Sequence, residues 1–578
     1  MERIVLFVML LSIVSSLVQA QDMGVSEPVL AFAGVDSPEE MDPEEFERLS
    51  DYLAAPLRLN SVSESELASS GLLSAYQMAS LRDYRNRHGN VMSYLELAAV
   101  DGFGDAFVRL LRPFISLETP QMFENKPAVR NEAALRTACR HSGGPDWNYG
   151  LKYRLKTGRM TLSMAVDKGY GTATSAPSAC SASLSWDWSQ GRLALGDFNA
   201  RFGQGLVLWN SSFITSLSAP EAFMRKSSGI SGVYSYTGSS ALTGVAGEIR
   251  FGGASVSLMG AVPGIRQIRS HPDRLRLMPA VNVAWRGRHG QMSLTHLMEM
   301  SGILVHSEDF RIPLMRTSAD AAFCVMGVNI FGELMYDWVA AKVHLLSGVD
   351  FRLGESGRLA CLLRYFPSKG NASAALHGAA LSSAFTPAGR HSCVFSVDAV
   401  RYPEPKQQGA RHSIQVKALA DWRFLAGEHL ELKLRLSERI RTWGLRFRTD
   451  LRADVSYTQG PLIFNARANL LNCVGLGLAG YLEQGYKTQD LSVYLREGLF
   501  KVDDWDDRIY VYERDAPGTF NVPALYGRGW FASLVGAVRA AGWVKIYARI
   551  VYTGYHFMPR EKRKPGKAEL KVQAVFRF

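Results

Sequence analysis

The chain has 578 residues, 47% hydrophobic and 21% charged, with 65 Lys and Arg against 54 Asp and Glu and a mean hydropathy near zero. That balance excludes a disordered or collagen-like chain, and a single long apolar run, at the N-terminus, excludes a bundle of membrane-crossing helices. The length fits one small domain plus one unusually large one, and the net charge of +11 points to anionic partners only where it is concentrated.

In chain order, Met1-Glu2-Arg3 precedes an apolar stretch, Ile4 to Val18, and small residues ending at Ala20, the pattern of a secretory signal peptide over 1–20. Residue 21 is Gln, which excludes a bacterial lipoprotein. Residues 21–53 hold ten acids and one base, Arg48, and read as an acidic linker of net charge −9. Residues 54–115 hold six bases and six acids, so the whole-chain +11 leaves about +20 for residues 116–578. The basic excess belongs entirely to the long C-terminal part.

Residues 54–118 read as helical, with Leu67, Leu72, Met78 and Leu81 at helical spacing and Asn60 or Ser61 placed to cap the first helix, Glu64 completing a capping box. Gly71-Leu72-Leu73 and Gly102-Phe103-Gly104 punctuate two helix-turn-helix units. From Leu59-Asn60 through Asp83-Tyr84-Arg85, Gly89 and Val100-Asp101-Gly102-Phe103-Gly104 to Leu111-Arg112-Pro113-Phe114-Ile115, the segment resembles the helix-hairpin-helix domain of the competence-type DNA receptors. In that family the Gly-hydrophobic-Gly turn brings backbone N–H groups at a helix start onto a DNA phosphate. The resemblance therefore nominates Gly71, Gly102, Phe103, Gly104, Arg85 and Arg109 as nucleic-acid-binding residues. Two departures oppose it: Leu73 replaces the second glycine of the first hairpin, and Asp101 and Asp105 flank the second. A domain of zero net charge tethered to an acidic segment gains little from counterion release, so weak DNA binding, or a docking or plug role, is expected.

Residues 119–145 read as a linker, and 146–578 switch to a period of two. Alternation is cleanest from Leu445 to Tyr457, where Leu445, Phe447, Leu451, Ala453, Val455 and Tyr457 share one face and Arg446, Arg448, Asp450, Arg452 and Asp454 the other. Long strands with one apolar and one charged face must close on themselves in a bilayer. The expected fold is thus an all-β transmembrane antiparallel barrel of about 14 to 20 strands behind a small all-α domain. The last strand, Leu570 to Phe578, resembles the insertion signal of Gram-negative outer-membrane barrels. Gly196-Asp197-Phe198, Arg201-Phe202-Gly203-Gln204-Gly205-Leu206, Glu513-Arg514-Asp515-Ala516-Pro517-Gly518-Thr519-Phe520 and Gly527-Arg528-Gly529 resemble stretches of outer-membrane proteins that carry an N-terminal helix-hairpin-helix domain. Their glycines are expected where strands bend or a loop folds inward.

Little points to catalysis. Cys139, Cys180, Cys324, Cys361, Cys393 and Cys473 are scattered singly, and the twelve histidines form no metal-binding spacing. Asp503, Asp504, Asp506 and Asp507 could hold Ca²⁺ but lack a calcium-loop spacing, and a solvated acidic loop is the favoured reading. Asn371-Ala372-Ser373 is a glycosylation sequon by letter only. No catalytic residue, metal or cofactor is expected, and the protein is not expected to be an enzyme. The expected place is the outer membrane of a Gram-negative bacterium, with the helical domain in the periplasm. Expected partners are lipopolysaccharide, the outer-membrane assembly machinery and, at the barrel mouth, DNA or a periplasmic protein. The function expected is DNA handling or transport, the alternative a porin-like or structural barrel with a docking or plug domain. The +20 of the barrel has three explanations: lipopolysaccharide phosphates, an anionic cargo, or the acidic leader folding back into the lumen.

Overall fold

The computed structural model describes residues 26–578 apart from 36–40, 119–128, 143, 173–174, 211–218, 237–240, 264–275, 302–310, 355, 369–374, 388, 408–412, 446, 520 and 558–565. The expected signal peptide and the Asn371 sequon lie outside the described residues.

Among the described residues, the large part is one closed antiparallel barrel of 24 strands. Its first strand, Arg130–His141, pairs with its last, Lys567–Arg577, through Leu135 opposite Ala574 and Glu132 opposite Arg577. Closure leaves no free edge, which is the condition a bilayer imposes on strands. Leu434, Leu436, Leu451 and Val455 are exposed on the outside, 41–46% accessible, while their charged sequence neighbours point inward. This is the fold of a large outer-membrane β-barrel.

The strand count exceeds the expected 14 to 20 because strands of 9 to 15 residues are joined at one end by tight turns such as Thr157-Gly158-Arg159. The barrel also begins at Arg130, inside the stretch expected to be a linker. One mouth carries these tight turns and both ends of the barrel chain, and the other carries the longer connections. Two of the latter turn back into the lumen. The first, through its described residues 202–210 and 219–236, lays the short strand Gly229–Gly232 against Phe198–Arg201, and its Phe202, Leu206, Val207 and Phe223 pack on the inward-facing Phe331, Leu346, Leu362 and Phe366. The second, residues 503–526, buries Val511, Tyr512, Glu513 and Asp515.

The acidic segment expected as a linker contains two helices, α1 (Ser26–Ala33) and α2 (Pro43–Ala54). Asp42 caps α2 by accepting from the N–H groups of Glu44 and Glu45, and Pro43 occupies the first helical position. The two helix-turn-helix units are α3 (Glu64–Ser70) with α4 (Ala75–His88), and α5 (Tyr94–Ala99) with α6 (Gly104–Leu111). Ser63, not Asn60 or Ser61, caps α3, and the reciprocal capping box is Ser74 with Gln77 at α4. Asn60 is instead a buried tie between Val91 and Leu117. A parallel two-residue pairing of Leu57-Arg58 with Ile115-Ser116 closes the domain. Phe32, Phe46, Leu49, Leu72, Leu73, Phe103, Phe107 and Phe114 form its core, so α1 and α2 belong to the same body as the hairpins.

Candidate functional site

Helix α2 is amphipathic in an unusual sense: its acids, not its apolar residues alone, are buried. Glu44 accepts from Asn199 Nδ2 at 2.6 Å and Glu45 from Arg201 at 2.8 Å, both on the strand Gly191–Arg201. Glu47, 5% accessible, pairs with Lys152 of the strand Pro145–Thr157, and Asp51 lies 3.5 Å from Arg154 on the same strand. The leader that carries −9 is thus seated against the basic inner wall. Burial alone would raise the Glu45 carboxyl, but Arg48 and Arg201 outweigh it and hold it at about 2. Burial wins at Asp51, pushing it up to about 6 against the opposing pull of Lys152 and Arg154.

Both inward loops converge on the same carboxylate. Ser235 Oγ and the Tyr236 N–H donate to Glu47, and the Tyr234 ring covers Arg154 at 3.6 Å. The loop is held there by the Gln204 and Leu206 N–H groups, which donate to Glu333 at 2.7 and 3.1 Å, and by Arg358 with Glu221. Gly203 and Gly205 take left-handed φ values of 60° and 92° at this fold-back, a conformation glycine adopts without strain. From the second loop, Tyr512 packs on Phe46 with ring centroids 5.9 Å apart, and Gly518 lies beside the Glu47–Lys152 pair. Asp515 with Lys571, Glu513 with Arg549 and Arg514 with Glu483 anchor that loop to the wall. Glu47 therefore joins helix, wall and both loops. Removing one member of such a buried pair strands a charge and costs about 3–5 kcal/mol.

Between the helical domain and the wall, at the tight-turn mouth, lies a cavity of about 2280 Å³. Eleven Arg and Lys and seven Asp and Glu line it, so it keeps a cationic character even beside the acidic helix.

The nominated nucleic-acid residues do not form one surface. Gly71 caps α3 with φ 64°, and a Cβ there would lie 3.1 Å from Arg48 of α2. Gly102 sits on the Tyr76 ring, and Gly104 faces Arg352 of the barrel rim, where a Cβ would lie 2.5 Å from the guanidinium. Phe103 is a core residue. Arg85 donates to the carbonyls of Leu59 and Asn60, and Arg109 pairs with Asp105 at 2.9 Å. Leu73, the departure noted in the first hairpin, is 2% accessible and packs inward. The acidic run at 503–507 is dispersed: Asp503 grips Arg528, Asp507 accepts from the N–H groups of Cys473, Val474 and Gly475, and among the described residues no group of His, Cys, Asp or Glu could hold a metal ion. Sequence reasoning did not single out Glu47, Lys152, Ser235 or Tyr236. The signal that could have found them was the opposition of −9 and +20 together with the glycine-rich stretches near 203 and 518.

No protein family matches the chain in sequence, and no curated protein matches it. Solved structures that share its barrel include the copper transporter OprC (9% identity, TM-score 0.41, covering 77% of this chain and 80% of that one), the siderophore receptor PirA from Pseudomonas aeruginosa (8%, TM-score 0.42, 78% and 81%), and the translocation pore of the P pilus usher PapC (10%, TM-score 0.39, 78% and 99%).

Proposed function

We propose that the protein is a gated outer-membrane transport barrel, not an enzyme, in which the N-terminal helical domain is a periplasmic plug latched from both sides. The observation that carries the reading is Glu47: a buried carboxylate that holds the plug helix to the wall through Lys152 and to the first inward loop through Ser235 and Tyr236, with Gly518 of the second loop packed beside the pair. A permanent structural element would be held as well by apolar packing, whereas a charged latch between separately folded parts can be released by competing charge or by a partner. The tight-turn mouth, where the barrel chain starts and ends, faces the periplasm by the usual arrangement of such barrels. The test is single-channel conductance of the full chain and of Glu47→Gln in planar bilayers. Large openings should become frequent in Glu47→Gln. Identical traces for both proteins would remove the latch.

A partner at the mouth is the second reading. Met92 and Leu95, 79% and 82% accessible, are the large apolar side chains that the helical domain exposes, and they favour a periplasmic protein. DNA is the weaker occupant, because the Gly102–Gly104 turn is taken up by Tyr76 and Arg352. A DNA titration of the full chain across a salt series decides it: no retention at low salt excludes nucleic acid.

A further inference from the structure

We infer that the cavity between the helical domain and the barrel wall is a docking groove for an extended acidic peptide of a periplasmic partner. The inference rests on the reading of the tight-turn mouth as periplasmic, and it names the chemistry of the partner and the place where it binds.

The groove is lined by cationic charge that the seated plug leaves unmatched. Five of its seven carboxylates already face a lining cation, as Asp51 faces Arg154, Glu66 faces Lys156 and Asp187 faces Arg192. A sixth, Glu44, accepts from Asn199. Four lining guanidinium groups remain: Arg58 on the helical domain, and Arg130, Arg159 and Arg286 on the barrel rim. Among the described residues none of the four has a carboxylate within ion-pair distance, and Glu118 is the one lining carboxylate left to set against them. Residues 119–128, next in the chain, hold one acid, Glu124, and one base, Lys126, and so add no net charge.

The spacing of these arginines selects the class of ligand. Arg130 lies on the first strand of the barrel, Arg159 in the turn Thr157-Gly158-Arg159, and Arg286 at the end of the strand Arg276–Arg286. Seven successive strand pairings lead from the strand of Arg130 to that of Arg286. At about 4.8 Å each they cover roughly 33 Å of rim. The cavity follows the rim along all of these strands and encloses about 2280 Å³, more than twice the usual upper size of a small-molecule site, about 1,000 Å³. A small anion reaches one of these arginines at a time, whereas an extended peptide of about ten residues reaches along the whole row. Such a peptide also places carboxylates only where a guanidinium is free, in the bidentate pairing that Arg favours. A nucleic-acid strand carries a phosphate at every nucleotide and would meet Glu64, Glu66, Glu118, Glu132 and Asp187 along the same path.

The experiment is fluorescence anisotropy of a labelled ten-residue peptide of alternating Glu and Ser with the full chain in detergent, beside the matching Gln and Ser peptide and with a ten-nucleotide oligothymidylate as competitor. The variants are Arg58→Gln/Arg130→Gln and Arg159→Gln/Arg286→Gln, with Arg539→Gln, outside the cavity, as control and heat-modifiable gel migration as the check that each barrel is folded. The acidic peptide should bind at low salt and the Gln peptide should not. Each pair of substitutions should weaken binding about tenfold, and Arg539→Gln should leave it unchanged. No binding, or a loss no greater in the two pairs than in Arg539→Gln, overturns the groove. Displacement of the peptide by oligothymidylate at equal or lower concentration overturns the peptide and makes the partner a nucleic acid. Binding is read without conductance, so a failure here leaves the gate to its own test in Glu47→Gln, and identical traces in that test leave this result standing.

Discussion

The wall built from residues 311–366 and the wall built from residues 413–459 obey the same alternation, yet the first is roofed by an inward loop and much of the second stays half-exposed. Under the roof, inward positions mix Phe331, Leu346, Leu362 and Phe366 with buried ion pairs such as Arg316–Asp337, both side chains 6% accessible. Along Leu430–Arg441 and Phe447–Gln459 the inward positions are polar or charged, and pairs such as Arg423–Glu431 and Arg435–Asp421 are wetter. A barrel interior can therefore keep charge either by sealing matched pairs or by leaving them in water.

The largest expected effect sets the two walls against each other. Arg364→Gln removes the guanidinium from its dry pair with Asp398 and should cost about 3–5 kcal/mol of unfolding free energy. Arg435→Gln, in a water-exposed pair with Asp421, should cost less than about 1 kcal/mol. Denaturant unfolding of both variants in lipid vesicles checks this. Equal losses would mean that the second wall is covered after all.

A smaller effect is expected at the plug rim. Gly104 has φ 71° and faces Arg352, so Gly104→Val places a β-branched residue in a left-handed conformation at about 1–2 kcal/mol. Hydrogen exchange should then quicken in α6 and leave the barrel strands untouched, with no DNA present. If exchange in α6 is unchanged, the tip is free of the rim, and the DNA reading regains ground.

Much of this was legible in the residues. The cleanest alternation in the chain, Leu445 to Tyr457, lies where the inner face of the strand Phe447–Gln459 carries Arg448, Asp450, Arg452 and Asp454 and joins no apolar cluster with a loop. By the same logic the blurred alternation near Phe331 and Leu346 marks a covered wall, a signal visible only once the roof is known. The closed barrel followed from strand length and a charged inner face, whereas the strand number depends on turn lengths that periodicity does not report. A plug role and an acidic leader folded back into the lumen were both legible, but the contacts were not, because burying Glu44 and Glu47 makes sense only with Asn199 and Lys152 opposite, over a hundred residues away. The nominated glycines were placed correctly in turns, but which face a turn presents is decided by Tyr76 and Arg352, again remote in sequence.

The smallest effect concerns pH and the plug contact. Asp51 titrates near 3.8 when free and about 6 when docked. The docked state then binds more protons between those values, so docking weakens as pH rises from about 4 to about 6. With 26% of the side chain still accessible, the discounted effect is about 1 kcal/mol. Glu45 acts in the opposite sense: Arg48 on its own helix and Arg201 of the wall together hold it at about 2, so the Arg201 contact is present above 4.5 and lost as pH falls toward 2. Large openings should therefore be rarest near pH 4.5 and grow more frequent toward pH 7. Asp51→Asn should flatten that upper limb. An upper limb that survives Asp51→Asn would place the proton elsewhere.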